Sequence, residues 1–391
     1  MSKGGRYAKK KVKKTKKLHG WKKVLLIVLL TILVLVAAAV IAGVVYWNSL
    51  LNMMGDADET LPSVPQQELQ KTTAPASEAT IEETAAPTVT TSPEDTWPEV
   101  VSNENITNIM LVGQNYREGE ETKLSDTMIL CSINRKTKTL TMMSIFRDLY
   151  VDFPPYKSLG WGRNRINVCY HLGSLETGTS QGGMEMLAQA VEYNFGIKID
   201  HTVEIDFTAF KEIINALGGI EIELSEDEAN YLNSDGKTNG TFEAGVNLLD
   251  GKSALAYARM RHSNGGDSDV KRTARQRNLI STILEECRGM GLLDLHKMAT
   301  TVLPLITTDM TNSEITNYIF EFLPMLKDLE IVSMTLPVAD ALVEEAYPGS
   351  GKSWWYDQIE IAGVPSSVIK CNTWLNQKYL KESLGLIEEE E

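Results

Sequence analysis

The sequence predicts an α/β protein, a three-layer sandwich around a mixed central sheet, preceded by one N-terminal transmembrane helix. Three observations carry this. Short apolar runs with strand alternation recur between segments of helical spacing from about residue 105 to 338, and strands alternating with helices indicate sheet-and-helix layers. Residues 24–47, VLLIVLLTILVLVAAAVIAGVVYW, contain no charge. Between that run and the first strand lies a stretch rich in Thr, Pro, Ala, Ser and Glu, TTAPASEATIEETAAPTVTTSPEDTWPEV. It holds too little apolar surface to fold.

Charge divides the 391-residue chain in the same places. Residues 1–23 carry eleven Lys or Arg and no acid, which leaves 27 basic residues against 52 acidic ones thereafter. As a helix, the uncharged run spans roughly 36 Å, enough for a bilayer core of about 30 Å. It is too long for the apolar core of a cleaved signal peptide. The basic tail belongs in the cytoplasm, with Trp21 and Trp47 at the interfaces. The expected organisation is a cytoplasmic tail (1–23), an anchor (24–47), an extracytoplasmic tether (48–104), a folded domain (105–338) and a C-terminal extension (339–391) that is a candidate to pack on the domain. As a flexible coil the tether averages roughly 40 Å end to end, which keeps the domain near the membrane.

Within the domain, Ile106–Gly113 (ITNIMLVG), Asp126–Asn134 (DTMILCSIN) and Lys138–Ile145 (KTLTMMSI) read as strands, the last two joined by a polar turn at Arg135–Thr137. Met184–Phe195 has helical spacing, and His201–Phe207 alternates. Ala209–Leu217 is a helix ended by Gly218-Gly219, followed by a strand at Ile220–Leu224. Gly251–Met260, Asp269–Met290 and Asn312–Leu326 are helices, and Ile331–Leu336 returns as a strand. Cys131, Cys169, Cys287 and Cys371 have no CxxC spacing, which argues against zinc. Cys131, in an apolar strand, reads as core filling.

The charged residues at element ends suggest the chemistry. YARMRHSNGGDSDVKRTARQ, residues 257–276, holds Arg259, Arg261, Arg272 and Arg275 in an otherwise acidic ectodomain. Guanidinium is planar and forked and matches phosphate oxygens two at a time. Asp269, Arg272 and Gln276 share a helix face, and a helix start carrying arginines suits an anion. Arg117 follows the first strand, Arg147 ends the third, and Arg165 lies in the glycine-rich loop after it. Ligands of α/β sheets gather beyond strand ends, so seven arginines there favour a polyanion site over isolated ion pairs. Asp126 opens one strand with its carboxylate facing the same region, and Asp206 closes another. Asp269 is either a helix cap or a general base.

DTMILCSINRKTKTLTMMSIFRDLYV, RIN, LDGKSALAYARMR and DVKRTARQ, in this order and spacing, resemble the LytR-CpsA-Psr proteins of Gram-positive bacteria, from about Asn105 to about Phe322. The resemblance implies transfer of a wall glycopolymer of teichoic-acid or capsule type from a polyprenyl-pyrophosphate carrier to peptidoglycan, by a metal-assisted phosphotransferase. It implies anion-binding roles for Arg117, Arg147, Arg165, Arg259, Arg261, Arg272, Arg275 and Gln276, and further polar positions at Asn167, Asp148 and Asp269. Asp269, Arg147, Arg259 and Arg272 are then the expected catalytic set. Asp126 and Asn115 are the expected Mg²⁺ positions. Two residues depart from the family pattern: Asn115 stands where the first metal aspartate is usual, and Phe146 where a proline is usual. Asn115 weakens the expected metal and keeps open a non-catalytic lipid- or glycan-binding member; a lipid pyrophosphatase is a further rival. AYPGSGKS, residues 346–353, mimics a phosphate loop, but WWYD and IEIAG follow where a helix is required. The basic tail is the one strongly basic segment, so nucleic acid is not an expected partner.

Overall fold

The structure is a computed structural model; it describes residues 99–114, 124–236, 238–261 and 269–387, together with residue 49 and the short strand at 55–56. The basic tail, the uncharged run and nearly all of the tether fall outside the described residues, as do Asn115, Arg117 and Asp267. Among the described residues no helix is long and apolar enough to cross a membrane.

The elements run β1 (Gly55–Asp56), β2 (Ile106–Gln114), β3 (Ser125–Asn134), β4 (Thr139–Ile145), β5 (Tyr150–Phe153), β6 (Gly162–Arg165), α1 (Asn167–Thr177), α2 (Ser180–Phe195), β7 (His201–Asp206), α3 (Phe207–Ala216), β8 (Ile220–Leu224) and α4 (Glu226–Ser234). Then come β9 (Gly245–Leu249), α5 (Gly251–Arg259), α6 (Asp269–Gly289), α7 (Leu292–Val302), β10 (Thr307–Thr308), α8 (Asn312–Phe322), β11 (Glu330–Leu336), α9 (Asp340–Ala346), β12 (Trp354–Ile361), β13 (Val364–Cys371) and α10 (Thr373–Ser383). The central sheet has seven strands in the order β1-β10-β7-β2-β3-β4-β11. It is mixed, as expected: β2 pairs antiparallel with β3 and parallel with β7, and β4 pairs parallel with β11. The β3–β4 turn is fixed by Asn134, whose Oδ1 accepts from the backbone of Lys136 and Thr137.

Helices cover both faces. On one, Met110, Val112, Met128, Leu130, Met143 and Ile145 pack against Met184, Leu187, Val191 and Phe195 of α2. On the other, Ile129, Leu140 and Met142 meet Ile280 and Leu284 of α6. A second small core, formed by the antiparallel β8–β9 pair with α3–α6, holds Ile220, Leu224, Leu232, Tyr257 and Leu279. Cys131 is a free thiol, pushed up to about 12 by burial, so it is inert filling of the sheet.

Helix α1 follows the segment of Arg165 and Asn167, expected as glycine-rich loop, and was not assigned from the sequence; α2 starts four residues earlier than its apolar spacing implied. The cause is glycine used for close packing. A Cβ on Gly173 would lie 2.2 Å from the Gly182 carbonyl oxygen, and one on Gly183 would lie 2.8 Å from that of Tyr170. These glycines let α1 and α2 touch backbone to backbone, and they do not break either helix. Residues 339–387 contribute to the main core through Val343, Ile369, Leu375, Leu380 and Leu384. The Gly-Ser loop before Ser353 leads into strand β12, as the WWYD run implied.

Candidate active site

The chain brings its chemistry to one edge of the sheet. β2 and β7 end there, β3 begins there, and β4 and β11 end there. Asp126 sits at the first turn of β3, and Arg147-Asp148 directly follow β4. The Arg165–Asn167 segment is fastened alongside: the N–H of Ile166 donates to the Leu149 carbonyl at 2.8 Å and that of Asn167 to the Arg147 carbonyl at 3.3 Å. Arg259 ends α5 and Arg261 lies two residues beyond it, and Asp269 and Arg272 occupy the first turn of α6.

Arg147 is the hub. Its Nη1 donates to Asp126 Oδ1 at 3.3 Å, and its Nε lies 3.4 Å from both Asp148 Oδ2 and Asp269 Oδ2. Arg165 Nη1 is 3.6 Å from Asp148 Oδ1, Arg261 Nη2 is 4.0 Å from Asp126 Oδ1, and Arg272 Nη1 is 2.9 Å from Asp269 Oδ1. Four of the expected arginines and three carboxylates thus form one network. Asp269 directs its carboxylate at arginines on both sides, which favours the site role over the helix cap.

The electrostatics follow from this packing. Burial works against the charge of Arg147, and Asp148, Asp269 and Asp126 overcome it, so its pKa lies above the ordinary guanidinium value. Arg272, 3% exposed, goes the other way: burial lowers its pKa, and Arg147 and Arg261 add like-charge repulsion against the pull of Asp269. Burial raises the pKa of Asp148, and Asp269 pushes the same way against Arg147 and Arg165. Several donors stay unused. Nε of Arg165 and Nε of Arg272 are buried without a hydrogen-bond partner, as is Asn167 Oδ1. Donors in this state call for oxygens from a ligand.

The remaining expected residues are placed differently. Arg259 stacks over the Phe207 ring, 4.6 Å from its centroid, at the end of β7. Arg275 and Gln276 do not join the network. Arg275 Nε donates to Glu228 Oε1 at 2.7 Å and its Nη1 to the Met260 carbonyl at 3.1 Å. Gln276 Nε2 donates to the Ala258 carbonyl at 3.4 Å. Both side chains are buried between α6 and its neighbours, where they hold the end of α5. Asp206 caps α3, its Oδ1 accepting from the Ala209 N–H at 2.7 Å.

The chain matches the profile of the LytR_cpsA_psr family over residues 66–359. It belongs to that family. It is 29% identical over 233 residues to the polyisoprenyl-teichoic acid–peptidoglycan teichoic acid transferase TagT of Bacillus subtilis, a match covering 58% of this chain and 67% of TagT. TagU of Oceanobacillus iheyensis, of the same name class, is 32% identical over 193 residues, 49% of this chain and 55% of TagU. The chain therefore spans only about half the length of TagU. The regulatory protein MsrR of Staphylococcus aureus is 26% identical over 244 residues, covering 62% of this chain and 67% of MsrR. Among solved structures, TagT bound to LIIa-WTA has a TM-score of 0.53 at 24% identity, covering 72% of this chain and 92% of that one. A Streptococcus agalactiae protein has a TM-score of 0.56 at 23% identity, covering 73% and 90%. These structural likenesses carry the LytR_cpsA_psr fold.

The metal expectation meets a thin donor set. Among the described residues no three His, Cys, Asp or Glu side chains gather closely enough to hold an ion. Asp126 already faces Arg147 and Arg261. The present residues fit Mg²⁺ only if a substrate supplies most of the oxygens.

One cation escaped the sequence reading. Arg277, 8% exposed, has Nε and Nη1 buried without a partner, and burial alone lowers its pKa to about 10. At helical spacing it shares the α6 stripe of Ile280 and Leu284, which faces the sheet side lined by Leu111, Cys131 and Ile133. It sits in a run of alternating polar residues whose inward face only the tertiary packing decides.

Proposed function

We propose that this chain transfers a phosphate-linked glycopolymer from a polyprenyl-pyrophosphate carrier to a hydroxyl of peptidoglycan. The observation that carries the reading is the convergence of Arg147, Arg165, Arg261 and Arg272 at one sheet edge, with the Nε groups of Arg165 and Arg272 buried and lacking a hydrogen-bond partner. They are directed into a network that already neutralises its own carboxylates. A pyrophosphate supplies the oxygens these donors lack. The acceptor oxygen bonds to the phosphorus, the bond from that phosphorus to the bridging oxygen breaks, and polyprenyl phosphate leaves with the electron pair. Asp269 takes the hydroxyl proton, and Arg147, Arg261 and Arg272 hold the charge that builds on the phosphoryl oxygens. Arg259 closes the same edge from the end of α5. The names of TagT and TagU support this chemistry. The uncharged run at 24–47 and its basic flank support a single-pass membrane protein with the domain outside the cell; protease added to wall-stripped intact cells should then remove the domain.

The test uses the full chain in lipid nanodiscs. Arg261→Ala and Arg272→Ala should each weaken polyprenyl-pyrophosphate binding by roughly 1.5–3 kcal/mol with the fold retained, and the Lys variants should recover only part of it. Unchanged binding in both removes the site as drawn. Release of inorganic phosphate without an acceptor identifies the pyrophosphatase rival instead.

The non-catalytic reading rests on Asn115 and on the naming of MsrR as regulatory. An amide beside one carboxylate holds Mg²⁺ weakly, so the metal should arrive with the pyrophosphate. Calorimetry should find Mg²⁺ binding tightened by Asn115→Asp, with transfer raised if the chain is an enzyme and unchanged if it only binds. Tight Mg²⁺ binding to the wild-type chain without lipid refutes the argument.

A further inference from the structure

The β12–β13 hairpin follows the phosphate-loop mimic, and nothing so far assigns it a role. It is tied to the active-site edge at a single register. The Ile369 N–H donates to the carbonyl of Asp148 at 2.9 Å, and Ile369 is the cross-strand partner of Tyr356. Tyr356 therefore stands one strand away from the backbone of Asp148, an active-site residue. Phe146, the residue in place of the usual family proline, is buried, and its ring meets that of Trp354 edge-on, centroids 5.5 Å apart. Trp354 in turn meets Tyr356 edge-on at 5.4 Å. Three aromatic rings thus step from the core outward to the rim. The last of them is open: Tyr356 is 58% exposed, although it lies on the inward-anchored side of the hairpin with Trp354.

The surroundings of the phenol fix which side of the site it borders. Partial burial raises its pKa, and the charges of Asp269 and Asp148 push the same way. Tyr356 thus borders the part of the network that holds Asp148, to whose backbone its hairpin is fastened. A flat, exposed ring with a polar tip beside two hydrogen-bond-accepting carboxylates suits the apolar face and hydroxyl edge of a sugar.

We propose that Tyr356, held out over the rim by Phe146 and Trp354, is the stacking wall for the acceptor sugar, a pyranose amino sugar whose hydroxyl faces Asp148 and Asp269. This rests on the transferase reading above and extends it to the acceptor. It also gives Phe146 a function as the foot of the aromatic stair, so that the departure from the family pattern becomes a device for acceptor placement.

The test measures two ligands separately on the full chain in nanodiscs: an N-acetylglucosamine tetrasaccharide, and polyprenyl pyrophosphate without a glycan. Tyr356→Ala should weaken the tetrasaccharide by about tenfold, the scale of one lost aromatic stacking contact, and leave the lipid unchanged. Tyr356→Phe should keep the tetrasaccharide affinity, and Trp355→Ala, an exposed aromatic on the opposite side of the same strand, should change neither ligand. Phe146→Pro should weaken the tetrasaccharide as Tyr356→Ala does, with the melting temperature of each variant recorded as the control for folding. Unchanged tetrasaccharide binding in Tyr356→Ala overturns the proposal, as does loss of polyprenyl-pyrophosphate binding in its place. A wild-type chain that binds the lipid but no tetrasaccharide overturns the acceptor wall alone. A wild-type chain that binds no lipid overturns the transferase reading beneath it.

Discussion

Arg275→Ala is expected to lower the unfolding free energy by about 3–5 kcal/mol, the range for a buried ion pair that loses one partner. Arg275 is buried, its Nε is 2.7 Å from Glu228 Oε1, and its guanidinium also ties down the Met260 carbonyl. Glu228 is committed as well: it forms the capping box of α4 with Ser225. Burial alone would raise the Glu228 pKa; Arg275 and the Ser225 donors outweigh it and hold it below the ordinary carboxylate value. A carboxyl with a depressed folded-state pKa stabilises fully above its unfolded pKa, and the contribution is lost as pH falls through the folded value. Denaturant titration should therefore give a smaller Arg275→Ala penalty in acid than at neutral pH. The double variant Arg275→Met with Glu228→Leu should recover most of the loss, because no unpaired charge remains. A penalty under about 1 kcal/mol at neutral pH would mean that the pair behaves as a solvated one.

The contrast between Arg275 and Arg272 marks where sequence reading stops. Both lie in DVKRTARQ, three residues apart, and both resemble anion-binding positions of the family. Turning the α6 helix places Arg272 at the sheet edge with Asp269 and places Arg275 against Glu228, forty-seven residues earlier in the chain. No local pattern announces that pairing, since Glu228 sits in an ordinary capping sequence. The strands were legible because their apolar alternation is local, and β8 was read to the residue. Helix α1 was not, because Gly173, Gly182 and Gly183 signal loop in one dimension and close helix contact in three. Tyr356 was passed over for a similar reason. WWYD was informative only as evidence against a phosphate loop until strand pairing brought Ile369, and with it Asp148, alongside.

Arg147→Ala should produce two changes of opposite sign in one protein. Arg147 is the cation common to Asp126, Asp148 and Asp269, with contacts of 3.3, 3.4 and 3.4 Å. Its removal takes away a buried donor set for a pyrophosphate and leaves three carboxylates around the space it filled. Polyprenyl-pyrophosphate binding should fall by about a hundredfold, the upper range for charge-assisted hydrogen bonds, since the added carboxylate repulsion compounds the lost donors. Divalent cation binding without lipid should rise, because oxygens previously neutralised by a guanidinium become available to a hard ion. Arg147→Lys should do neither fully: a point charge restores neutrality but cannot reach three carboxylates with a planar fork. The pair of measurements is calorimetry of Mg²⁺ and of polyprenyl pyrophosphate on wild type, Arg147→Ala and Arg147→Lys. If the lipid binds Arg147→Ala as it binds wild type, the hub does not touch the carrier. If Mg²⁺ affinity stays flat while lipid binding collapses, the carboxylates have turned away on losing their cation. In that case Arg147 organises the acidic side of the site as well as neutralising it. Phosphoryl transfer here would then depend on one arginine for both the charge on the leaving group and the position of the base.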